Sequence, residues 1–203
     1  MSELEIPYTA EERPDTGLTN ARLAMWLFLA SEAMLFGSLV SSYVLLRSGA
    51  EFWPRQADYM NVPLATVNTI VLVASSVAIV MAWASLKLQR FPAFRLHMGL
   101  TVLAGVAFLA LKGVEYAQKF SHGYYPATNN FLGIYFALTG LHVVHVLGGV
   151  LVNAFLLGPG ARMWRSAPAQ FTGRVEAAAL YWHFVDLVWI YLFPLLYLVE
   201  RHN

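Results

Sequence analysis

Cysteine is absent from this 203-residue chain, and charged residues are scarce. Without thiols, the chain cannot form disulfides, cysteine-ligated zinc sites or iron–sulfur clusters. Only 12% of its residues are charged, against roughly 25% in an average soluble domain, while 58% are hydrophobic. The net charge of +1 offers no basic surface for nucleic acid. The composition therefore indicates an integral membrane protein.

The N-terminal region lacks both parts of a cleaved secretory signal, the basic start and the short apolar core. It is acidic and polar through Asp15, and residues 1–20 include two prolines. We therefore expect no cleavage here. The sequence predicts a polar, irregular tail over residues 1–20, followed by a membrane domain over residues 21–203.

Five long apolar runs fill most of the remaining chain and are separated by short polar loops. Because about 20 residues of helix cross a hydrocarbon core of about 30 Å, each run can span a bilayer. The sequence therefore predicts an all-α fold, a bundle of five transmembrane helices over about 23–46, 64–86, 97–117, 131–157 and 175–199. The third helix must include Lys112 and Glu115 to span, because its unbroken apolar part is short.

Arginine and lysine residues are unevenly divided between the two ends of the predicted helices. Eight lie at the ends on the N-terminal side, whereas four lie on the other side: Arg47, Arg55, Lys119 and Arg201. Because positively charged loops are retained in the cytoplasm, this bias predicts a cytoplasmic N-terminus in a bacterial-type inner (cell) membrane. Five helices then put the C-terminus on the periplasmic side. The loops are short, so no soluble catalytic domain is expected.

The last predicted helix carries three polar residues on one face, since Glu176, His183 and Asp186 are seven and three residues apart. Polar groups at bilayer depth are unfavourable against lipid, so this face should contact protein or water. It can be a structural contact, a proton path or a ligand site, and we predict a mainly structural role. The connection over 158–174 is short, so the fourth helix is the expected neighbour. We predict a hydrogen-bonded set of His145, His183 and one of the two carboxyls.

The fourth predicted helix presents His142 and His145 on one face, which Gly149 continues. Glycine there allows another helix to approach closely. Two histidines on one helix cannot supply both axial ligands of a haem, which would need His183 from the opposite side. A metal site that adds Asp186 to these histidines is conceivable but lacks the Glu-x-x-His pattern of di-iron bundles. We favour structural or lipid-binding histidines, and predict no catalytic, cofactor-binding or metal-binding residue.

Glu32 is a lone carboxyl near the middle of the first predicted helix. An ionisable group at this depth is a functional hypothesis by default. The alternative is a neutral acid hydrogen-bonded to Ser31 or to a neighbouring helix, and both remain open. In the third helix, Lys112 and Glu115 can pair on one face, although lysine can also extend to the interface. The residues predicted to be polar and buried are Glu32, Glu115, His142, His145, Glu176, His183 and Asp186.

Five motifs succeed one another along the predicted helices: residues 26–32 (WLFLASE), 67–69 (VNT), 115–116 (EY), 139–149 (TGLHVVHVLGG) and 176–189 (EAAALYWHFVDLVW). In kind and in order they resemble the motifs of subunit III of the haem–copper terminal oxidases. The resemblance extends over roughly residues 21–199, and the last two motifs are its most specific part.

The resemblance implies a non-catalytic accessory subunit of an aerobic respiratory oxidase, most closely a cytochrome c oxidase. Such a subunit holds no haem or copper, packs against the catalytic subunit I that does, retains phospholipid there and supports proton uptake. The lipid-contacting positions of the family correspond to Glu32, His145 and Arg162. The family carboxyl that matches Glu32 reacts with a carbodiimide. The implied partners are subunit I, the other oxidase subunits and phospholipids.

The chain contains only the last five of the seven helices found in longer members of the family. The two missing helices form one wall of the family's lipid cleft, and some oxidases carry equivalent helices fused to the catalytic subunit. The first and last motifs are closer to cytochrome c oxidases, whereas the chain length is typical of quinol oxidase members. An accessory protein of nitric oxide reductases shares the fold. A small proton-coupled transporter is the alternative of another class, although neither inverted repeats nor broken helices are visible.

Overall fold

The computed structural model describes residues 12–14 and 17–199, and this part of the chain contains helices and turns but no β-strand. Within these described residues, five helices are long and apolar enough to cross a membrane. They are α1 (Asn20–Gly49), α2 (Val62–Lys87), α3 (Phe91–Ser121), α4 (Asn130–Leu157) and α6 (Pro168–Phe193), with the short α5 (Met163–Ser166) before the last. The predicted all-α membrane bundle is confirmed, and the chain is an integral membrane protein. Most of the predicted tail over residues 1–20, and Arg201, lie outside the described residues.

Polar caps and prolines, rather than the limits of the apolar runs, determine where the helices begin. The side chains of Thr19, Asn61 and Asn129 accept hydrogen bonds from backbone N–H groups three residues later, at the starts of α1, α2 and α4. Prolines occupy the first turns of α3 and α6. Backbone N–H groups in a first turn have no partner within the helix, so proline removes no hydrogen bond there. These two helices therefore begin at residues 91 and 168, ahead of the predicted 97 and 175.

Pro194 ends the α-helical part of α6 before the predicted residue 199. Proline has no N–H to continue the helical hydrogen bonds, and its ring is incompatible with the carbonyl four residues earlier. The chain continues as a π-helical segment, Pro194–Leu198, in which the N–H of Val199 donates to the carbonyl of Pro194 at 3.1 Å. The side chain of Tyr197 in this segment is buried in the bundle.

The last long helix, α6, lies at the centre of the bundle, where it contacts α1, α2 and α4. The predicted contact between the fourth and last helices is therefore confirmed. α2 and α3 form an antiparallel hairpin, and α3 also packs on α4. α1 is the least enclosed of the five spans and exposes large side chains such as Trp26 and Met34. The bundle therefore offers most of the α1 surface to lipid or to a partner.

Trp182 of α6 fills a space that two glycines leave open on neighbouring helices. A Cβ atom on Gly105 of α3 would lie 2.7 Å from the indole of Trp182, and one on Gly149 of α4 would lie equally close. No alanine fits at such distances, so the prediction that Gly149 permits a close approach is confirmed. The buried indole N–H of Trp182 donates to the hydroxyl of Ser75 on α2, at 2.9 Å. One side chain therefore joins α6 to three other helices.

Candidate functional site

Glu176 joins α6 to α1 near the end of the bundle where both helices begin. Its carboxylate accepts a hydrogen bond of 2.5 Å from the guanidinium of Arg22, and the two groups form an ion pair. Both side chains are partly exposed beside a cavity of about 630 Å³. Glu176 therefore does not join the predicted set with His145 and His183.

His183 and Asp186 both contact Ser76 on α2. A ring nitrogen of His183, Nδ1, lies 3.1 Å from the hydroxyl of Ser76, and this hydroxyl donates to the carboxyl of Asp186. Asp186 is buried, and its second carboxyl oxygen has no hydrogen-bond partner among the described residues. The predicted bond between His183 and His145 is therefore wrong, because this face of α6 is turned to α2 and not to α4. The adjacent serines at 75 and 76 in the second apolar run are the sequence feature that could have indicated this contact with α2.

Glu32 of α1 and His145 of α4 form a polar contact at the margin of the bundle. The carboxyl oxygen Oε2 of Glu32 lies 2.8 Å from Nε2 of His145, while Nδ1 lies 2.8 Å from the carbonyl of Leu141. Because a carbonyl can only accept, Nδ1 is the donor in the contact with Leu141. The side chains are 15% and 11% exposed, so the contact reaches the surface of the bundle at membrane depth. Glu32 thus bonds a neighbouring helix and not Ser31, which donates to Phe28.

Arg162 lies apart from this contact, in the turn between α4 and α5, and is exposed. The twelve residues of α4 after His145 rise about 18 Å before the helix ends. The structure therefore brings two of the three predicted lipid-contacting residues together and leaves the third at the membrane edge.

His142 is fully enclosed, yet both of its ring nitrogens lack a hydrogen bond among the described residues. Its ring stacks on Trp189 at 5.2 Å between centroids, and the ring of Phe108 meets it edge-on at 5.5 Å. His142 is thus buried in the bundle, where it packs as an aromatic residue. In the part of the chain that the structure describes, no three His, Asp or Glu side chains converge to hold one metal ion.

Lys112 and Glu115 pair within α3, as one of the two sequence alternatives predicted. The ammonium of Lys112 donates to Glu115 at 2.8 Å, and both side chains are buried, so Lys112 does not extend to the interface. The hydroxyls of Tyr135 and Tyr197 donate to the other carboxyl oxygen, each at 2.7 Å. Lys119 completes the cluster at 3.7 Å from the same oxygen. Sequence reasoning missed Lys119 and the two tyrosines, although Lys119 is one helical turn from Glu115.

Comparison with known proteins agrees with this arrangement of helices and motifs. The model of the family "Cytochrome c oxidase subunit III" matches residues 15–200. Cytochrome c oxidase subunit 3 of Thermostichus vulcanus is 34% identical over 192 residues, which cover 95% of this chain and 92% of the relative. The corresponding subunit of Bacillus sp. (strain PS3) is 32% identical over 180 residues, covering 89% and 86%. Cytochrome bo(3) ubiquinol oxidase subunit 3 of Pseudomonas aeruginosa is 30% identical over 196 residues, covering 96% and 92%.

The chain therefore belongs to the cytochrome c oxidase subunit III family. Members of this family are accessory subunits of haem–copper oxidases, and this chain associates with other oxidase subunits in the respiratory chain. These relatives are of nearly the same length as this chain.

Proposed function

We propose that this protein is the accessory subunit III of a haem–copper oxidase that takes electrons from cytochrome c and holds no redox centre itself. The family match over residues 15–200 carries the proposal. Haem and copper belong to the partner catalytic subunit I, against which this bundle packs. The polar groups within the described helices support a structural role, because Glu176, Asp186, Glu115 and Glu32 each bond a side chain of another helix.

The Glu32–His145 contact is the proposed lipid site of the subunit. A polar pair at bilayer depth is unfavourable against hydrocarbon, so its exposed edge favours cover by a bound molecule or a partner helix. A phospholipid with its headgroup near Arg162 has acyl chains long enough to follow α4 towards His145. The partner subunit supplies the wall that two further helices form in longer members of the family.

The end of the bundle that carries Arg22 and Glu176 is the proposed cytoplasmic end. It holds the larger share of arginine and lysine residues, which favours the cytoplasmic side of the membrane. The charged groups around its cavity of about 630 Å³ lie at the membrane edge. We propose that the subunit supports proton uptake by its partner from this side.

Affinity purification of the tagged chain from its native membrane tests the proposal. Native electrophoresis with mass spectrometry should find the chain in a complex with a haem–copper catalytic subunit, and that complex should reduce oxygen with reduced cytochrome c. A chain that migrates alone, with no haem-containing partner, contradicts an accessory role.

A quinol oxidase is the second candidate, because the relative from Pseudomonas aeruginosa carries that name. Oxygen uptake by the purified complex, supplied either with reduced cytochrome c or with a quinol, separates the two. We expect the faster rate with cytochrome c. Oxidation of quinol alone would show that the complex is a quinol oxidase.

A further inference from the structure

A second cavity, of about 530 Å³, opens at the end of the bundle where α3 ends and α2 begins. Glu115 and Lys119 line it, together with residues of the loop before α2 and of the last turn of α3: Tyr59, Asn61, Gln118 and His122. This cavity lies on a different part of the molecule from the Glu32–His145 contact. It connects the buried charges of α3 with the membrane edge.

The buried charges beside this cavity do not cancel. Lys112, Glu115 and Lys119 are each at most 4% exposed, and they comprise two cations and one anion. Glu115 is already engaged by Lys112 through one oxygen and by two tyrosine hydroxyls through the other. Lys119 lies 3.7 Å from that second oxygen, beyond hydrogen-bond distance. Both lysines are within ion-pair distance of this one carboxylate, so the three buried groups leave a net positive charge in the interior.

Lys119 also has hydrogen-bonding capacity to spare. Its ammonium donates to the backbone carbonyl of Tyr59 at 2.5 Å and contacts the sulfur of Met60, a weak acceptor, at 3.7 Å. The ring of Tyr135 lies 4.8 Å away and adds a cation–π contact. An ammonium group has three N–H donors, and within the described part of the chain only one of these meets an oxygen acceptor. An anionic oxygen at this position would supply both the missing charge and a missing acceptor.

We propose that this cavity binds one phosphate group, with Lys119 as its charged anchor. The cavity is large enough for a phosphate, and its lining adds neutral donors, since the side-chain oxygen of Asn61 caps α2 and leaves the amide N–H groups free to donate. Lys119 lies in the last turn of α3, the depth at which lipid headgroups reside. The phosphate comes either from a phospholipid headgroup or from inorganic phosphate.

Asp58 provides an internal test of this charge argument. It is exposed, lines the same cavity and is the one acidic group there besides the engaged Glu115, among the described residues. Its carboxylate repels an anion bound beside Lys119. Asp58→Asn should therefore strengthen phosphate binding, whereas Lys119→Met should remove it. Arg95→Met serves as the matched control, because Arg95 is an exposed cation at the opposite end of the same helix.

The experiment uses the purified oxidase complex that contains this chain, in wild-type form and with each of the three substitutions. Quantitative mass spectrometry counts the phospholipids that copurify, and equilibrium dialysis with radiolabelled inorganic phosphate measures binding to the delipidated complex. If the phosphate is a headgroup, Lys119→Met loses one tightly held phospholipid per complex and Arg95→Met loses none. If it is inorganic phosphate, Lys119→Met weakens binding at least tenfold and Asp58→Asn tightens it severalfold.

Equal phospholipid content and equal phosphate binding in wild type and Lys119→Met overturn the proposal. Should Lys119→Met prevent assembly, Asp58→Asn decides, because an exposed loop residue tolerates this isosteric change. If the Asp58→Asn complex has the same phosphate affinity and the same phospholipid retention as the wild type, the proposed site is rejected.

Discussion

Ser76 has an unusual position among the residues at the helix contacts, because its hydroxyl serves two side chains of α6. It donates to Asp186 and also contacts His183. The second oxygen of the buried Asp186 carboxyl has no hydrogen-bond partner in the described structure. The hydroxyl of Ser76 is therefore the one described donor that satisfies this carboxyl. The three residues therefore act as one unit at the α2–α6 contact.

We expect Ser76→Ala to reduce the stability of the protein by about 1–3 kcal/mol, because it leaves a buried carboxyl without a donor. Asp186→Leu in the Ser76→Ala background should recover part of the loss, since the unpaired group is then gone. His183→Phe alone should be tolerated, because a polar contact between membrane helices contributes about 0.6 kcal/mol on average. Assembly yield and the unfolding midpoint in detergent measure each effect.

Ser38→Ala is the matched control for this series, because the hydroxyl of Ser38 is exposed and donates to a carbonyl of its own helix. Ser38→Ala should leave both readouts unchanged. Strictly additive losses in the Ser76→Ala, Asp186→Leu double variant would show that the two residues are not coupled. Normal assembly with lost proton uptake would make this contact part of a proton path.

Glu32→Ala should leave assembly of the complex intact but reduce phospholipid retention or shorten the active lifetime during turnover. The reason is the position of Glu32 at the bundle margin, where its carboxyl contacts His145 and is partly exposed. Phospholipid content and oxygen uptake over many turnovers are the measurements. Ser31→Ala is the control, since Ser31 bonds its own helix. Wild-type lipid content and lifetime in Glu32→Ala would leave Glu32 a purely structural residue.

The sequence could predict which residues are polar and intramembrane, but not which neighbour each one contacts. The helical period determines the face that a side chain shares, and Glu176, His183 and Asp186 do lie on the side of α6 that contacts other helices. A central helix has several neighbours, however, and a small rotation moves a polar group from one to another. The period contains no information on that rotation, so the polar groups of α6 contact α1 and α2 and not the expected α4, although α4 is also a neighbour of α6.

At the scale of whole helices, the apolar runs predicted five spans and their order, because burial in a bilayer requires about 20 apolar residues. The helix ends were less predictable. Hydrophobicity ends where the membrane interface begins, whereas backbone hydrogen bonding continues through polar residues until a cap or a proline stops it. α3 therefore includes four residues beyond its predicted end at 117, and Lys119 lies in this extension.

The packing of Trp182 of α6 against α3 and α4 depends on two glycines, Gly105 and Gly149. We expect Gly105→Ala and Gly149→Ala each to destabilise the protein by about 1–3 kcal/mol, because the added methyl overlaps the indole. Gly113→Ala in α3 and Gly140→Ala in α4 are the matched controls, since a Cβ meets nothing within 4 Å at either position. The unfolding midpoint in detergent is measured for each variant and compared with that of the control in the same helix. Equal midpoints for a variant and its control would exclude tight packing at that glycine.

The molecule as a whole is a membrane bundle whose least enclosed span, α1, also carries the Glu32 side of the marginal polar contact. One side of α1 is therefore available to lipid or to another subunit, and the inner side is held by the contacts to α4 and α6. This asymmetry fits a subunit whose outer face is completed by a partner. The two proposed ligand sites lie on different helices, since the Glu32–His145 contact joins α1 and α4 whereas the cavity beside Lys119 is lined by α2, α3 and the loops next to them.

The isolated chain, refolded in detergent, should show no Soret absorption, whereas the complex that contains it should. The chain has no cysteine to hold a haem, and the three histidines of α4 and α6 have separate contacts. His142 is enclosed between the aromatic rings of Trp189 and Phe108, His145 contacts Leu141 and Glu32, and His183 contacts Ser76. Absorption spectra before and after addition of haem test this, with unfolded chain as the control for non-specific binding. A saturable Soret band that disappears in His145→Ala or His183→Ala would make the chain a cytochrome in its own right.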